Sequence, residues 1–215
     1  MRILNCITDF NHYFSAQTLH PQVAVAELFR ADFSLFDTKV YDMYALIMID
    51  GVFGELIRDG KPLPYTKGSL VTIRPGQSIE MKMDYTTKPQ GWMLAFKPEL
   101  LEKTGLGRDF YMFSYFNSDY SEAIRLTDME YGVIKNCFAN LYAELNTPKD
   151  HLSGQMIRLG IGTLLSYVKR YFEKQHTTSV LRSETLVGKL DTLLDKYLGS
   201  GLPAQHGQPT VTWCA

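Results

Sequence analysis

The sequence predicts an α+β protein, with a compact antiparallel β body in the first part of the chain and helices after it. Three observations predict this. Between residues 41 and 96, short aromatic and branched runs are separated by sharp turns at Asp59-Gly60, Lys67-Gly68 and Arg74-Pro75-Gly76-Gln77. Ile79, Met81 and Met83 alternate with Glu80, Lys82 and Asp84, the period of a half-buried strand. After residue 126 the period changes: Ile134, Phe138, Leu141 and Leu145 recur at helical spacing. Many short strands joined by hairpins read as a sandwich or barrel, a body that can enclose a small ligand.

Taken in order, residues 1–19 mix aromatic and polar side chains without a clear period, and read as either an ordered arm over the body or a partly ordered terminus. His20-Pro21 opens the ordered body. Val23 and Val25 against Ala24 and Ala26 predict a first strand to about residue 29, and 33–36 a second. Residues 40–50 predict one strand, carrying Tyr41, Tyr44, Leu46, Ile47 and Ile49, and 53–58 the next. Asp59-Gly60 then makes a tight reversal, because both residues take positive φ at little cost. Residues 69–73 follow Lys67-Gly68, and Arg74-Pro75-Gly76-Gln77 turns the chain again: proline presets φ and glycine accepts the left-handed position. Gly91 to Phe96 closes the series with Trp92, Leu94 and Phe96 on one side.

Beyond Phe96, Pro98 suits the first turn of a short helix over 98–104. The aromatics of 111–116 predict a strand, and 122–126 another. Thr127-Asp128-Met129-Glu130 is a capping box that starts a helix over 128–145. Thr147 as cap and Pro148 as first residue predict a second helix to about residue 173, with Ile157, Ile161, Leu164, Leu165, Val168 and Phe172 as its stripe. Met156, Leu159 and Thr163 widen that stripe beyond what one neighbour needs. A short connection makes the two helices an antiparallel hairpin. Residues 175–179 read as a polar link, and Ser183-Glu184 caps a third helix over 184–198. A Gly-, Pro-, Gln- and His-rich loop over 202–209 leads to an apolar, helix-like start at 210–215. The domains expected are therefore 1–126, a body with an N-terminal arm; 127–179, a helical hairpin for dimerisation; and 180–215, a linker helix and the start of a further domain.

Composition narrows the function classes. The 215 residues are 45% hydrophobic and 21% charged, with a formal net charge of -1. These are the proportions of an ordinary globular chain, without the basic excess that marks a nucleic-acid binder. The three cysteines are widely spaced and form no CxxC pair, which predicts buried thiols in a reducing compartment. No signal peptide and no apolar run of membrane-spanning length is read, so a cytoplasmic protein is expected.

The histidines are His12, His20, His151, His176 and His206, and none lies between residues 21 and 150. The strands thus lack the imidazoles that Fe, Mn or Zn favour, and neither a catalytic metal nor another cofactor is expected. There is no GxSxG elbow and no glycine-rich phosphate loop. What remains is a binding cavity. Tyr41, Tyr44 and Trp92 offer aromatic faces for an apolar ligand, and Arg74 offers a two-point clamp for a carboxylate or phosphate. Trp92 or Tyr44 is expected to face the interior of the body. Met156, Ile157, Leu159, Leu164 and Val168 are the candidate residues of a two-fold homodimer interface.

Four stretches in this order carry a family resemblance: His20-Pro21 before a strand; Arg74-Pro75-Gly76-Gln77; Gly91-Trp92 leading into Phe96-Lys97-Pro98-Glu99-Leu100-Leu101; and Pro209-Thr210-Val211-Thr212-Trp213-Cys214-Ala215. Together they resemble AraC-type bacterial transcription regulators over nearly the whole chain. The resemblance implies a cupin-like sensing barrel for a small-molecule effector, a helical hairpin that dimerises, and a linker to a DNA-binding region of two helix-turn-helix motifs. The sequence ends where that family's first helix-turn-helix begins, so DNA is expected as a partner only through residues beyond it. The resemblance implies no effector identity. The rival reading is a cupin-type enzyme, an isomerase or dioxygenase, against which the missing strand histidines argue.

Overall fold

The structure, a computed structural model, describes residues 2–31, 39–83, 88–102, 104, 107, 113–116, 120 and 122–199, of which 2, 39, 83 and 177–199 as backbone. The expected strand at 33–36, the loop at 202–209 and the helix start at 210–215 lie outside the described residues. The chain divides into two units, Met1–Phe172 and Glu173–Ala215.

The first unit is α+β. Its strands are β1 (Arg2–Leu4), β2 (Val23–Glu27), β3 (Lys39–Tyr41), β4 (Tyr44–Ile49), β5 (Gly54–Arg58), β6 (Lys61–Pro62), β7 (Ser69–Ile73), β8 (Ser78–Met83), β9 (Gly91–Phe96) and β10 (Ile124–Arg125). Among the described residues they pair as two five-stranded sheets, β1-β3-β8-β5-β6 and β10-β7-β4-β9-β2, rather than as one closed sheet. All pairings are antiparallel except β1 with β3.

The expected strand over 40–50 is two strands in different sheets. Asp42 and Met43 form the corner at which the chain leaves the first sheet for the second. The Asp59-Gly60 reversal is present, with φ of 50° and 75°, and sets Arg58 opposite Lys61. The 74–77 turn is closed by Gln77 N–H donating to the Arg74 carbonyl at 3.1 Å. It carries the chain from β7 in the second sheet to β8 in the first. Asp59 ties both reversals together: its carboxylate accepts from Ser78 N at 2.8 Å and Gln77 Nε2 at 3.2 Å.

Register sorts the side chains of the second sheet. Ala24, Ala95, Ala45 and Ile73 lie in one row, and Ala26, Met93, Ile47 and Val71 in the next. Both rows belong to the core between the sheets. The small residues leave room that the N-terminal arm takes up. Helix α1 (Ile7–Tyr13) packs against β2 and β9, and its Ile7, Phe10 and Tyr13, with Phe14 just beyond, are core residues. Of the two readings of residues 1–19, the ordered arm is the one found, as an inserted helix and a strand.

The opposite face of the same sheet is also buried. Val25, Leu94 and Leu46 form one row there, and Trp92, Met48 and Leu70 another. Helix α2 (Asp128–Asn146) packs on β2 and β9. It begins at the expected capping box: Glu130 N donates to Thr127 Oγ1 at 3.4 Å, and Thr127 N to Glu130 Oε2 at 2.9 Å. Ile134, Phe138, Leu141 and Leu145 are its buried residues.

Helix α3 (Ser153–Gly199) starts later than the sequence predicts. Thr147 caps the end of α2 instead, its hydroxyl donating to the Ala143 carbonyl at 2.9 Å. Asp150 does the work assigned to Thr147, accepting from Leu152 N at 2.8 Å and Ser153 N at 3.0 Å. Its carboxylate satisfies two donors that the first helical turn leaves open. The run is two helices meeting at a kink, where His176 has non-helical φ and ψ of -114° and 16°, in place of the longer polar link expected over 175–179. Two further expectations are corrected. Pro98–Leu100 is a single 3-10 turn, and Ser114–Phe116 is a 3-10 turn, not a strand. Tyr115 there joins sheet to helix: its carbonyl accepts from Thr72 Oγ1 at 3.2 Å, and its hydroxyl donates to the Leu165 carbonyl at 3.1 Å.

Candidate functional site

Of the four residues expected to line one cavity, Tyr41 lies on a different face from Tyr44 and Trp92, while Arg74 lies near enough to Tyr44 for its charge to act on the phenol. Tyr41 lies in the core between the sheets, 2% exposed. Its main chain is pinned to the 74–77 turn, Tyr41 N donating to the Gln77 carbonyl at 3.1 Å and Gly76 N to the Tyr41 carbonyl at 2.8 Å. Burial, and then the neighbouring Tyr13, push its phenol well above the ordinary tyrosine range. Tyr44 and Trp92 are on the other face, turned toward the helices. Tyr44 stacks on Phe96 with ring centroids 5.6 Å apart and meets Phe116 at 4.8 Å. Burial raises its phenol, and the charge of Arg74 opposes that rise. The expectation that Trp92 or Tyr44 faces the interior is therefore overturned. The register places both in rows alternate to the inward ones.

The candidate interface residues divide as well. Ile157, Leu164 and Val168 are already buried by the chain's own first unit, while Met156 and Leu159 are 52% and 55% exposed. Leu152, just before α3, and Met156, Leu159, Thr163, Ser166 and Arg170 on it follow one another at intervals of four and three. That is the spacing of a coiled-coil seam. The end of this stripe lines a shallow groove of about 390 Å³ with Gly162 and Tyr167.

A cleft of about 200 Å³ lies where the sequence marked nothing. It sits between the segment following α1, strand β2 and the last turns of α2. Asn11, Ser15, Gln17, Arg30, Tyr142 and Asn146 supply its polar lining. Val23, Val25 and Leu145 give it apolar walls. Asn11 is 3% exposed, and its Nδ2 donates to Thr18 Oγ1 at 3.2 Å. Its main-chain carbonyl accepts from Ala16 N at 2.8 Å, so residues 15–19 fold back as a strap. Lys149 Nζ, from the connection after α2, donates to the Leu19 carbonyl and holds the far end of the strap. Beside it, His20 Nδ1 accepts from Gln22 N at 3.1 Å. Burial, then the charges of Lys149 and Arg158, lower the pKa of that imidazole.

Among the described residues, Arg30 is the only charged one that lines the cleft. Its Nε donates to Glu27 Oε2 at 3.0 Å, and its guanidinium lies over the Phe29 ring, 5.5 Å from the centroid. Trp92 reaches the cleft indirectly, through Tyr142 of α2, which it meets edge to face. The available signal was the placement of Ile7, Phe10 and Phe14, at intervals of three and four, which gives residues 7–14 a helical face beside Asn11.

Among the described residues no group of three or more His, Cys, Asp or Glu could hold a metal ion, and no helix is long and apolar enough to cross a membrane. No family model matches the chain, and no curated protein matches it.

Proposed function

We propose that this chain is the effector-sensing and dimerisation region of an AraC-type transcription regulator, with a cupin-like body that binds a small molecule and governs an attached DNA-binding domain. The observation that carries the reading is the double character of α3. One stripe of it, Ile157, Ile161, Leu164, Leu165 and Val168, is buried in the chain's own first unit. A second, beginning with Leu152 just before the helix and continuing through Met156 and Leu159, is exposed at the spacing of a helical seam. An exposed apolar seam on an ordered helix suits a second copy of the same helix about a two-fold axis. The order of parts along the sequence supports the family: a double-sheet body, a helix packed on it, further helix, and then residues 209–215, whose sequence resembles the opening of a helix-turn-helix region.

The test joins this chain to a monomeric DNA-binding module that silences a reporter only when two copies are brought together. Silencing that disappears on Leu159→Asp, in a protein whose helicity is unchanged, is the expected result. A monomeric wild-type chain that leaves the reporter active overturns the reading. Turnover of a substrate by the purified chain favours the enzyme instead.

A further inference from the structure

We propose that the effector site is the cleft between the 15–19 strap, β2 and the end of α2, and that it takes a small monocarboxylate with an apolar body. This rests on the sensing reading and assigns its site outside the space between the sheets, which Phe10, Tyr13 and Phe14 of the arm help to fill.

The size comes from the cleft itself. Its volume of about 200 Å³ corresponds to roughly six or seven waters at liquid density, so the occupant is a compact molecule. Polarity comes from Asn11. A carboxamide has two donors and a carbonyl acceptor. This one is 3% exposed, lines the cleft, and has one hydrogen bond among the described residues, to Thr18. Its Nδ2 carries a second hydrogen, which can donate to an oxygen of a molecule in the cleft.

The sign of charge comes from Arg30. Among the described residues no acidic side chain lines the cleft beside it. Its Nε is committed to Glu27, which leaves the guanidinium's terminal N–H groups for an anion at the mouth. Val23, Val25 and Leu145 supply the apolar surface for the rest of the molecule. A ligand seated there touches both the strap and the last turns of α2, and so links effector binding to the helix pair. The strap is conformationally specialised: Ser15 takes φ of 50°, a region that non-glycine residues seldom occupy.

The test uses sodium cyclohexanecarboxylate and its neutral counterpart cyclohexanecarboxamide, titrated into the whole chain. Binding is read from the side-chain amide resonance of Asn11 and from the melting temperature. A saturable shift at Asn11 is expected, with the acid binding more tightly than the amide. Arg30 is exposed, so Arg30→Gln keeps the fold, weakens the acid by about fivefold, the scale of a partly exposed ion pair, and removes the preference for it. Asn11→Leu is expected to abolish the shift in melting temperature; Arg30→Gln carries the test if that variant does not fold. The proposal is overturned if the acid leaves Asn11 unmoved, or if acid and amide bind alike in the wild type, or if Arg30→Gln leaves their ratio unchanged. Another compound that stabilises wild type and Arg30→Gln equally overturns the cleft but leaves the sensing reading standing. A monomeric wild type defeats that reading in the reporter test, whatever the cleft binds.

Discussion

Trp92 of β9 and Tyr142 of α2 meet edge to face, with ring centroids 5.3 Å apart and planes at 71°. The pair joins the second sheet to the helix that roofs it, in a geometry aromatic rings prefer over direct stacking. Tyr142 also lines the cleft, so Trp92 supports one of its walls without lining it. Trp92→Leu is expected to lower unfolding stability by about 1–3 kcal/mol, the range for truncating a partly buried aromatic and losing its ring partner. Urea unfolding followed by circular dichroism measures the loss, and an unchanged midpoint refutes the role given to the pair.

Gly91 begins β9 opposite Ile49 with φ of 137°, and a Cβ there would collide with the Met48 carbonyl oxygen. Neither the conformation nor the space admits a side chain. Gly91→Ala is expected to cost about 3 kcal/mol or more, combining backbone strain with a clash against main chain that cannot swing away. Expression in soluble form and the melting temperature report it. A variant as stable as wild type would show that the strand start shifts freely.

Leu159 and Leu164 lie on one helix but carry opposite expectations. Leu159 is 55% exposed and Leu164 is 0% exposed. Leu159→Asp should leave the circular dichroism spectrum intact and halve the mass seen by light scattering. Leu164→Asp should unfold the first unit, because an unpaired charge in an apolar core costs several kcal/mol. A Leu164→Asp chain that stays folded and becomes monomeric would restore Leu164 to the interface.

Alkali should unfold this protein through its buried phenols. Burial holds the Tyr41 hydroxyl, aided by Tyr13, and the Tyr115 hydroxyl above the ordinary tyrosine value. In the unfolded chain both ionise near pH 10. Below that pH both states keep the proton and stability is unaffected. Above it the unfolded state releases protons that the folded state retains, and stability falls as pH rises. Each group contributes about 1.4 kcal/mol per pH unit until its folded value is reached. Tyr115→Phe should lose about 1 kcal/mol at neutral pH, with its bond to the Leu165 carbonyl. It should also show a shallower decline in urea midpoint above about pH 10. An identical alkaline slope in the variant contradicts the assignment.

Local chemistry was legible in the sequence wherever it acted alone. Asp59-Gly60 specified its reversal, because few other pairs accept positive φ at successive positions. Thr127 and Glu130 specified the start of α2 through bonds they make to each other's main chain. The bounds of β7 and β9 followed from turn residues on either side. Direction was not legible. A period of two divides a strand into two faces, and a polar face then marks solvent. In β4, β7 and β9 both faces are largely buried, one under the first sheet and the arm, the other under the helices, so no polar row said which way Tyr44 or Trp92 pointed. The corner at Asp42-Met43, the insertion of α1 and the transfer of the α3 cap to Asp150 depend on partners far along the chain or on competing caps nearby. Asn11 came to line a cleft only when the strap, β2 and α2 closed around it. Those were decided by tertiary packing, which chooses among local options that the sequence leaves nearly equal in free energy.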